Sequence, residues 1–477
     1  MSEATTTTRA RSTPTGRLLA ALLVGGITAI LDTTIVAIGL KTIAHSLHTT
    51  IATIQWVSTG YLLALAVAIP LVGWAQARLG GKRLWMIALG LFLVGSALCA
   101  TAWNADSLIA FRIIQGLGGG AMLPLLTTLA MQNVDQTKIA RTMSTVTVPI
   151  ALGPILGPVL GGIVLNYLSW QWLFLINVPI GAVGLVLAFL WLPKDAPAAG
   201  TARARLDLVG LALIAPALAA LLYGLSEASA DGGFGNDHVW IPVVVGALLL
   251  VAFILWAARK RRAAIIDIAL LKVRSVRSSS TVLVFLGAAL FASSFLLPLF
   301  FQILRGDSVL DAGLLMIPQG VGSLIARFFA GRLVDRFGAR TVAITCFLLV
   351  ALTTIPFALA DTQTSLWYLG GVLFVRGIGL GAVFIPVMAV AFIDLPRSDM
   401  PHASAITRIV QQVGGAFGTA LVAVVLAGAI SSGDLVHGFD VAFWWTIGIT
   451  VVAALVAILL PARATSVVGA VQAAGAR

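Results

Sequence analysis

The sequence is short of charge. Only 10% of its 477 residues are Asp, Glu, Lys or Arg, against 59% that are hydrophobic, and a surface built from that composition cannot be kept in water. A soluble globular protein is excluded, and lipid becomes the solvent. Cysteine is nearly absent: Cys99 and Cys346 both lie in apolar runs, so no disulfide framework exists and each thiol reads as a small hydrophobe. The five histidines, His45, His48, His238, His402 and His437, show no ligand spacing, so no metal site is expected. No nucleophile stands beside a partner base, no glycine-rich loop is placed to cradle phosphate, and no carboxylates pair within an apolar run, which argues against an enzyme and against nucleotide use. No cofactor is expected. Acidic residues number 18 against 30 Lys and Arg, a formal net charge of +12. Nucleic acid is not the reason, because the basic residues fall in short stretches between apolar runs, the pattern that orients a chain in a membrane.

What is present is a succession of apolar stretches of about twenty residues, the length that crosses a bilayer as a helix. Spans are predicted at 18–40, 56–76, 84–103, 107–131, 143–167 and 172–192, then at 206–226 and 240–258, then six more near Thr281, Ala312, Thr341, Trp367, His402 and Val441. The expected fold is an all-α integral membrane protein of about fourteen transmembrane helices, made of two six-helix pseudo-repeats with two inserted helices between them. The domain division is 1–17, a cytoplasmic N-terminal tail; 18–193, the first half; 194–278, a linker with the two inserted helices; 279–461, the second half; and 462–477, a cytoplasmic C-terminal tail. The first apolar run is too long for a cleavable signal peptide. Leaving out Arg112, Arg327, Arg376 and Arg408, which fall within spans, roughly twenty-four Lys and Arg lie on the side of both termini and about two, Lys41 and Arg305, on the other, so both termini are expected in the cytoplasm.

The repeat is visible as spacing. Gly73, Arg78 and Gly80 recur as Gly331, Arg336 and Gly338 at an offset of 258, and Gly153 and Gly157 recur as Gly414 and Gly418 at 261. Two matches at nearly one offset argue for duplication, and two like halves place a site between them near the bilayer midplane.

Asp32 is the only carboxylate well inside a predicted span, about 21 Å along the helix from Leu18. An ionised carboxylate at that depth faces a cavity, finds a partner or takes up a proton. A site that alternates between burial and a cationic neighbour can bind and release a proton; a carboxylate locked in a helix-to-helix hydrogen bond is the alternative. Arg112 cannot lose its charge, so it either biases a nearby carboxylate or snorkels to the nearer interface. Gly153, Gly157 and Gly161 stack on one face of span five and admit a close neighbour, while Pro154 and Pro158 interrupt its backbone ladder. That combination serves as a pivot, or as plain tight packing. Trp56, Tyr61, Trp85, Trp103, Trp170, Trp172, Trp240, Trp367, Trp444 and Trp445 mostly lie near span ends, where interfacial anchoring is expected. Gln115, Phe295 and Phe384 lie deeper and are candidates for a substrate cavity, with plain core packing the alternative for the two phenylalanines.

Five stretches resemble one family, the major facilitator superfamily, and within it the fourteen-span drug:proton antiporters. Leu31-Asp-Thr-Thr-Ile-Val36 is similar to the first-helix signature, with Ala37 and Lys41 where Asn and Pro are usual. Gly331-Arg-Leu-Val-Asp335-Arg336-Phe-Gly338 is similar to the superfamily's loop signature; the first-half copy, from Gly73, has Ala77 where the acid belongs. Phe111-Arg112-Ile-Ile-Gln115-Gly116 resembles the fourth-helix signature, and Trp170 to Gly181 a further family stretch, with Gln171 where Arg is usual. Gly153-Pro154-Ile-Leu-Gly157-Pro158-Val-Leu-Gly161-Gly162 resembles the signature associated with antiporters.

The resemblance implies a proton-coupled antiporter that exports amphipathic small molecules, such as drugs, antibiotics or toxic metabolites, by alternating access. It assigns proton coupling to Asp32 and Arg112, an antiporter hinge to Gly153, Pro154, Gly157, Pro158, Gly161 and Gly162, and a cytoplasmic gate to Gly73, Arg78, Gly331, Asp335 and Arg336. The expected partners are a small-molecule substrate, protons and the lipid bilayer, with the protein a monomer. Short loops and Ala- and Gly-rich spans point to a bacterial plasma membrane. The other readings are an exporter of one dedicated metabolite, a proton-coupled importer and a membrane receptor that does not transport.

Overall fold

The computed structural model describes residues 15–49, 51–132, 134, 139–195, 206–230, 237–307, 309–393, 395–396, 398–432 and 435–461. The terminal tails fall outside the described residues, except that the first helix already begins at Thr15. The first half comprises α1 (Thr15–Ser46), α2 (Ile51–Ala68), α3 (Leu71–Leu79), α4 (Gly81–Ala100), α5 (Ala105–Gln132), α6 (Ile139–Tyr167), α7 (Trp172–Leu175) and α8 (Asn177–Trp191). The inserted pair is α9 (Leu208–Ala230) and α10 (Asp237–Lys260). The second half comprises α11 (Arg274–Leu299), α12 (Val309–Leu315), α13 (Ile317–Phe337), α14 (Ala339–Ala358), α15 (Leu366–Ile393), α16 (Met400–Ser432) and α17 (Leu435–Val456). No strand occurs among the described residues.

Twelve helical stretches are long and apolar enough to cross a membrane, and a bent pair, Trp56–Ala68 with Leu71–Leu79, makes a thirteenth. α6 is a further helix of 29 residues, many of whose side chains lie outside the described set. The count is compatible with the fourteen read from the sequence. The bend in the pair is 57° and sits at Pro70, which has no N–H to donate and disfavours a helical residue before it.

One detail departs from expectation. The stretches read as loop signatures are helical almost throughout: α3 runs to Leu79 and α13 to Phe337, and each turns into the next helix through a single glycine, Gly80 at φ 86° and Gly338 at φ 81°. Nothing between Leu71 and Leu79 breaks a helix, and glycine takes the left-handed conformation at no steric cost. Arg78, Asp335 and Arg336 are therefore last-turn helix residues. The N-terminus of α4 is capped by Asp195, whose carboxylate accepts Lys82 N–H at 2.8 Å and Arg83 N–H at 3.0 Å.

Small residues set the close contacts. At Gly118 on α5 a Cβ would sit 2.6 Å from the backbone of Phe92 on α4, so these two helices touch main chain to main chain. Arg305 pins two turns together, its Nη1 donating to Asp361 O at 3.0 Å and Thr364 O at 2.9 Å. In that turn the Thr364 hydroxyl and the Gln363 N–H hold the exposed Asp361 carboxyl below its usual range.

The halves meet along two seams. α6 packs against α13 and α15, and α16 packs against α3 and α5. The inserted α9 lies on the second seam, in contact with both α2 and α16, with Trp56 stacked on Tyr223 at 5.7 Å. α10 packs on α9 and turns apolar side chains such as Leu248, 65% exposed, outward, as a lipid-facing helix requires.

Candidate functional site

The centre of the first half is polar. On α1, Thr28, Thr33 and Thr34 return their hydroxyls to the carbonyls of Gly25, Ile30 and Leu31, so the helix passes through a polar stretch without exposing a donor to lipid. Asp32 lies among them, completely buried. Its Oδ2 accepts Arg112 Nη1 at 2.5 Å, and its Oδ1 accepts Gln115 Nε2 and Asn177 Nδ2, each at 2.9 Å. Four helices, α1, α5, α8 and, through Ser96, α4, converge here, since the Ser96 hydroxyl accepts both amides at 3.0 and 3.1 Å.

Of the two placements open to Arg112, the structure takes the paired one. Its side chain is 1% exposed, Nε donates to Val57 O at 3.1 Å, and the guanidinium lies 4.0 Å over the ring of Tyr61. Gln115, one turn further along α5, faces Asp32 and not the cavity: its Oε1 accepts Arg112 Nη1 at 2.7 Å. Asn177 is the residue the sequence reading missed, though it is the only amide within its span. Tyr61, Trp85 and Trp170 are corrections to the interfacial set. All three are buried, with Tyr61 against Arg112 and Trp85 under Gly25, whereas Trp56, Trp103, Trp172, Trp240, Trp367, Trp444 and Trp445 are exposed as anchors should be.

The second half builds a similar junction with different charge. Arg376 of α15, 1% exposed, donates to Ser293 of α11 at 2.5 Å, Gln319 of α13 at 2.6 Å and Thr354 of α14 at 3.1 Å. Ser293 stands beside Ala292, where the repeat puts the counterpart of Asp32. The cation is held by neutral oxygens alone, and among the described residues Asp32 is the one buried acid.

Between the halves lies a narrow cavity of about 30 Å³, lined by residues including Leu123 and Thr127 of α5, Met143 of α6, Phe384 and Met388 of α15, and Arg408 and Gln411 of α16. Drug-sized pockets run to about 300–1,000 Å³, so the halves are closed here. Their contact is polar at one point, where the Thr127 and Ser404 hydroxyls lie 2.7 Å apart and Ser404 donates to Pro124 O at 2.9 Å. Phe384 lines this cavity. Phe295 does not; it packs against the Phe300 and Phe357 cluster of the second half.

The glycine face of α6 meets the helix that carries Asp32. A Cβ at Gly153 would collide with Ile30, one at Gly157 would collide with Thr34, and Thr34 Oγ1 donates to Gly153 O at 3.1 Å. Gly162 has nothing near it. The side chains of Pro154 and Pro158 lie outside the described residues. The repeat holds, since Gly414 and Gly418 of α16 press on Val284 and Ala288 of α11. Gly157→Ala is therefore expected to lower stability by about 1–3 kcal/mol and Gly162→Ala to leave it unchanged, read from thermal unfolding of the purified protein in detergent.

The residues read as a gate divide. Gly73 faces His402 and Pro401 across the α3–α16 seam, with a Cβ there lying 3.4 Å from the imidazole, and Gly331 is buried on α13. Arg78 lies over the Trp74 ring at 5.9 Å and Arg336 over Phe337 at 5.3 Å. Asp335 is exposed and in no ion pair among the described residues. Those residues contain no group of His, Cys, Asp and Glu able to hold a metal.

Residues 22–419 match the Major Facilitator Superfamily. The "Multidrug resistance protein B homolog" of Mycobacterium tuberculosis (strain ATCC 25618 / H37Rv) is 35% identical over 416 residues, 87% of this chain and 76% of that one. The "Putative multidrug resistance protein MdtD" of Serratia proteamaculans (strain 568) is 33% identical over 401 residues, 83% of this chain and 82% of that one. A crystal structure of a double Trp mutant of XylE superposes with a TM-score of 0.66 at 17% identity, covering 94% of this chain and 96% of the other, a likeness of fold alone. With its helix-only fold, its multiple membrane spans and a match running across most of its length, this chain belongs to the Major Facilitator Superfamily.

Proposed function

We propose that the protein is a proton-coupled antiporter that exports amphipathic small molecules across a bacterial plasma membrane by alternating access, working as a monomer with both termini in the cytoplasm. The observation that carries this reading is the completely buried carboxylate of Asp32, held by three donors on two other helices. Every one of those contacts uses the carboxylate as an acceptor, so a proton enters only when a donor withdraws. Arg112 has somewhere to go: the Gln115 and Val57 oxygens and the Tyr61 ring already surround it. Proton binding thus releases Arg112 from α1, and proton loss draws it back.

That exchange has a mechanical outlet. Ile30 and Thr34 flank Asp32 and bear on Gly153 and Gly157, so a change at Asp32 acts on the α1–α6 contact, and α6 forms one seam between the halves. The two halves rock as bodies about these seams, with α9 riding on the other. The α3–α16 contact at Gly73 and the Thr127–Ser404 contact close the cytoplasmic side, and Arg78, Asp335 and Arg336 engage as that side opens and shuts. Substrate leaves outward while a proton travels inward from the external face to Asp32 and then to the cytoplasm. The names of the relatives, two of them for multidrug resistance, support small amphipathic molecules as the cargo.

The test uses inside-out vesicles with an acid lumen and a trapped pH-sensitive dye. Addition of dansyl derivatives of matched size bearing a carboxylate, no charge or an ammonium should discharge the gradient for at least one of them, and only when the protein is present. Discharge by none of the three would overturn the reading.

A further inference from the structure

Arg408 has no assigned role, and its surroundings are unbalanced. It lies two turns into α16, on the wall of the cavity between the halves. Its Nη1 donates to Gln411 Oε1 at 3.1 Å, while its Nε, shielded from solvent, has no hydrogen-bond partner among the described residues. No carboxylate lies within ion-pair distance of it there, since the one buried acid, Asp32, is taken by Arg112. The surroundings add positive charge and not a counter-ion: Arg327, buried on α13, lies 5.9 Å over the ring of Phe384 on the same wall, and Arg376 is satisfied only by neutral oxygens. The buried Tyr61 hydroxyl likewise has no hydrogen-bond partner among the described residues. A guanidinium cannot shed its charge, and leaving it partly unsatisfied in a low-dielectric site is costly.

The rest of the wall is mainly apolar, including Leu123, Met143, Phe384 and Met388, with Thr127 and Ser404 among its polar members. A cationic guest would add like charge to this wall. A guest with an apolar body and an anionic head would instead fill the apolar face and complete the guanidinium fork with two charge-assisted hydrogen bonds. We propose that Arg408 is the headgroup site for amphipathic organic anions, with Phe384 and the two methionines receiving the apolar body. This rests on the export reading for its direction, but the binding site does not depend on it. One consequence is electrical. Exchange of a monoanion outward for one proton inward moves two positive charges' worth inward per cycle, whereas a monocation exchanged for one proton moves none.

The experiment separates binding from transport. Purified protein in detergent is titrated with dansylglycine, dansylamide and N-(2-aminoethyl)dansylamide, which share a ring system and differ in charge, and fluorescence reports binding. Wild type should bind the carboxylate about tenfold or more tighter than the ammonium, the size of one good charge-assisted contact. Arg408→Gln should bring that ratio close to one, and Arg408→Lys should retain part of it. Gln411→Glu supplies an internal carboxylate and should also abolish the preference, which keeps the test available where Arg408→Gln does not fold. In inside-out vesicles a lumen-positive potential should speed dansylglycine uptake. A wild type that prefers the ammonium, or an unchanged ratio in both variants, would overturn the assignment. Charge-selective binding without gradient-linked uptake would sustain the Arg408 site and sink the export reading; uptake of the ammonium dye without anion binding would do the reverse.

Discussion

Asp32→Asn is expected to reduce substrate-linked proton movement to the background of protein-free vesicles while leaving dye binding within about twofold of wild type. Asparagine nearly matches aspartate in shape but carries no titratable proton, so no step of the exchange can load or unload one. The substitution also reverses part of the donor pattern. Asp32 accepts from Arg112, Gln115 and Asn177, and asparagine offers one acceptor oxygen, so at least one of those donors meets an N–H instead. Binding is expected to survive because the proposed headgroup site is Arg408, on a different helix and on the cavity wall. The measurement is the pH-dye assay run beside the fluorescence titration on the same preparation. Gradient discharge by the Asn variant at the wild-type rate would remove Asp32 from the coupling step. Asp32→Glu keeps the proton but cannot place its carboxylate on all three donors, and a slowed but gradient-linked rate is the expected outcome.

Much of this was legible in the sequence, and the pieces that were not share a cause. Apolar run length is a local property, and it located most helices to within a few residues, although the predicted span 56–76 is two helices, α2 and α3. Gly80 and Gly338 stood out only as repeated positions, and the structure shows them at φ 86° and 81°, where glycine is favoured. Asp32 and Arg112 each stood out because a charge in a span needs a reason. Their pairing was not readable, since they are 80 residues apart and the register of α1 against α5 is set by packing. The same holds for Asn177 and Ser96, which are ordinary polar residues until four helices converge. Tyr61 was read as an interfacial anchor because aromatic residues near a predicted span end usually are. α2 begins at Ile51, five residues ahead of the predicted start at 56, so Tyr61 lies inside the helix against Arg112.

The second half explains why duplication alone did not reveal the site. Its junction retains the helix geometry and exchanges the chemistry, with the cation on α15 at the counterpart of Gln115 and hydroxyls where the first half has a carboxylate. Three residues are a rotation of about 300°, nearly one turn of a helix, so Arg376 and Arg112 fall out of alignment in sequence although both face the centre of their half. Among the described residues a buried carboxylate stands in the first half only. In the proposed exchange the proton step therefore falls to α1, with Arg376 a fixed positive charge in the second half.

The Arg112–Asp32 pair should show large, non-additive energetics. Arg112→Gln alone leaves an ionised carboxylate with amide donors only, and Asp32→Asn alone leaves a guanidinium with no counter-charge, and each is expected to cost about 3–5 kcal/mol, the usual price of breaking a buried pair from one side. The double variant removes both charges and leaves Gln and Asn beside Gln115, Asn177 and Ser96, all able to share hydrogen bonds. Desolvation of two ions is then avoided, and stability should return to within about 1–2 kcal/mol of wild type, because replacing a whole buried pair is far less harmful than halving it. Thermal or denaturant unfolding of the four proteins in one detergent gives the cycle. Additive losses would mean that the two side chains do not sense each other in the folded state, contrary to their contact. Recovery of stability without recovery of proton exchange would show that the pair is retained for coupling and not for the fold.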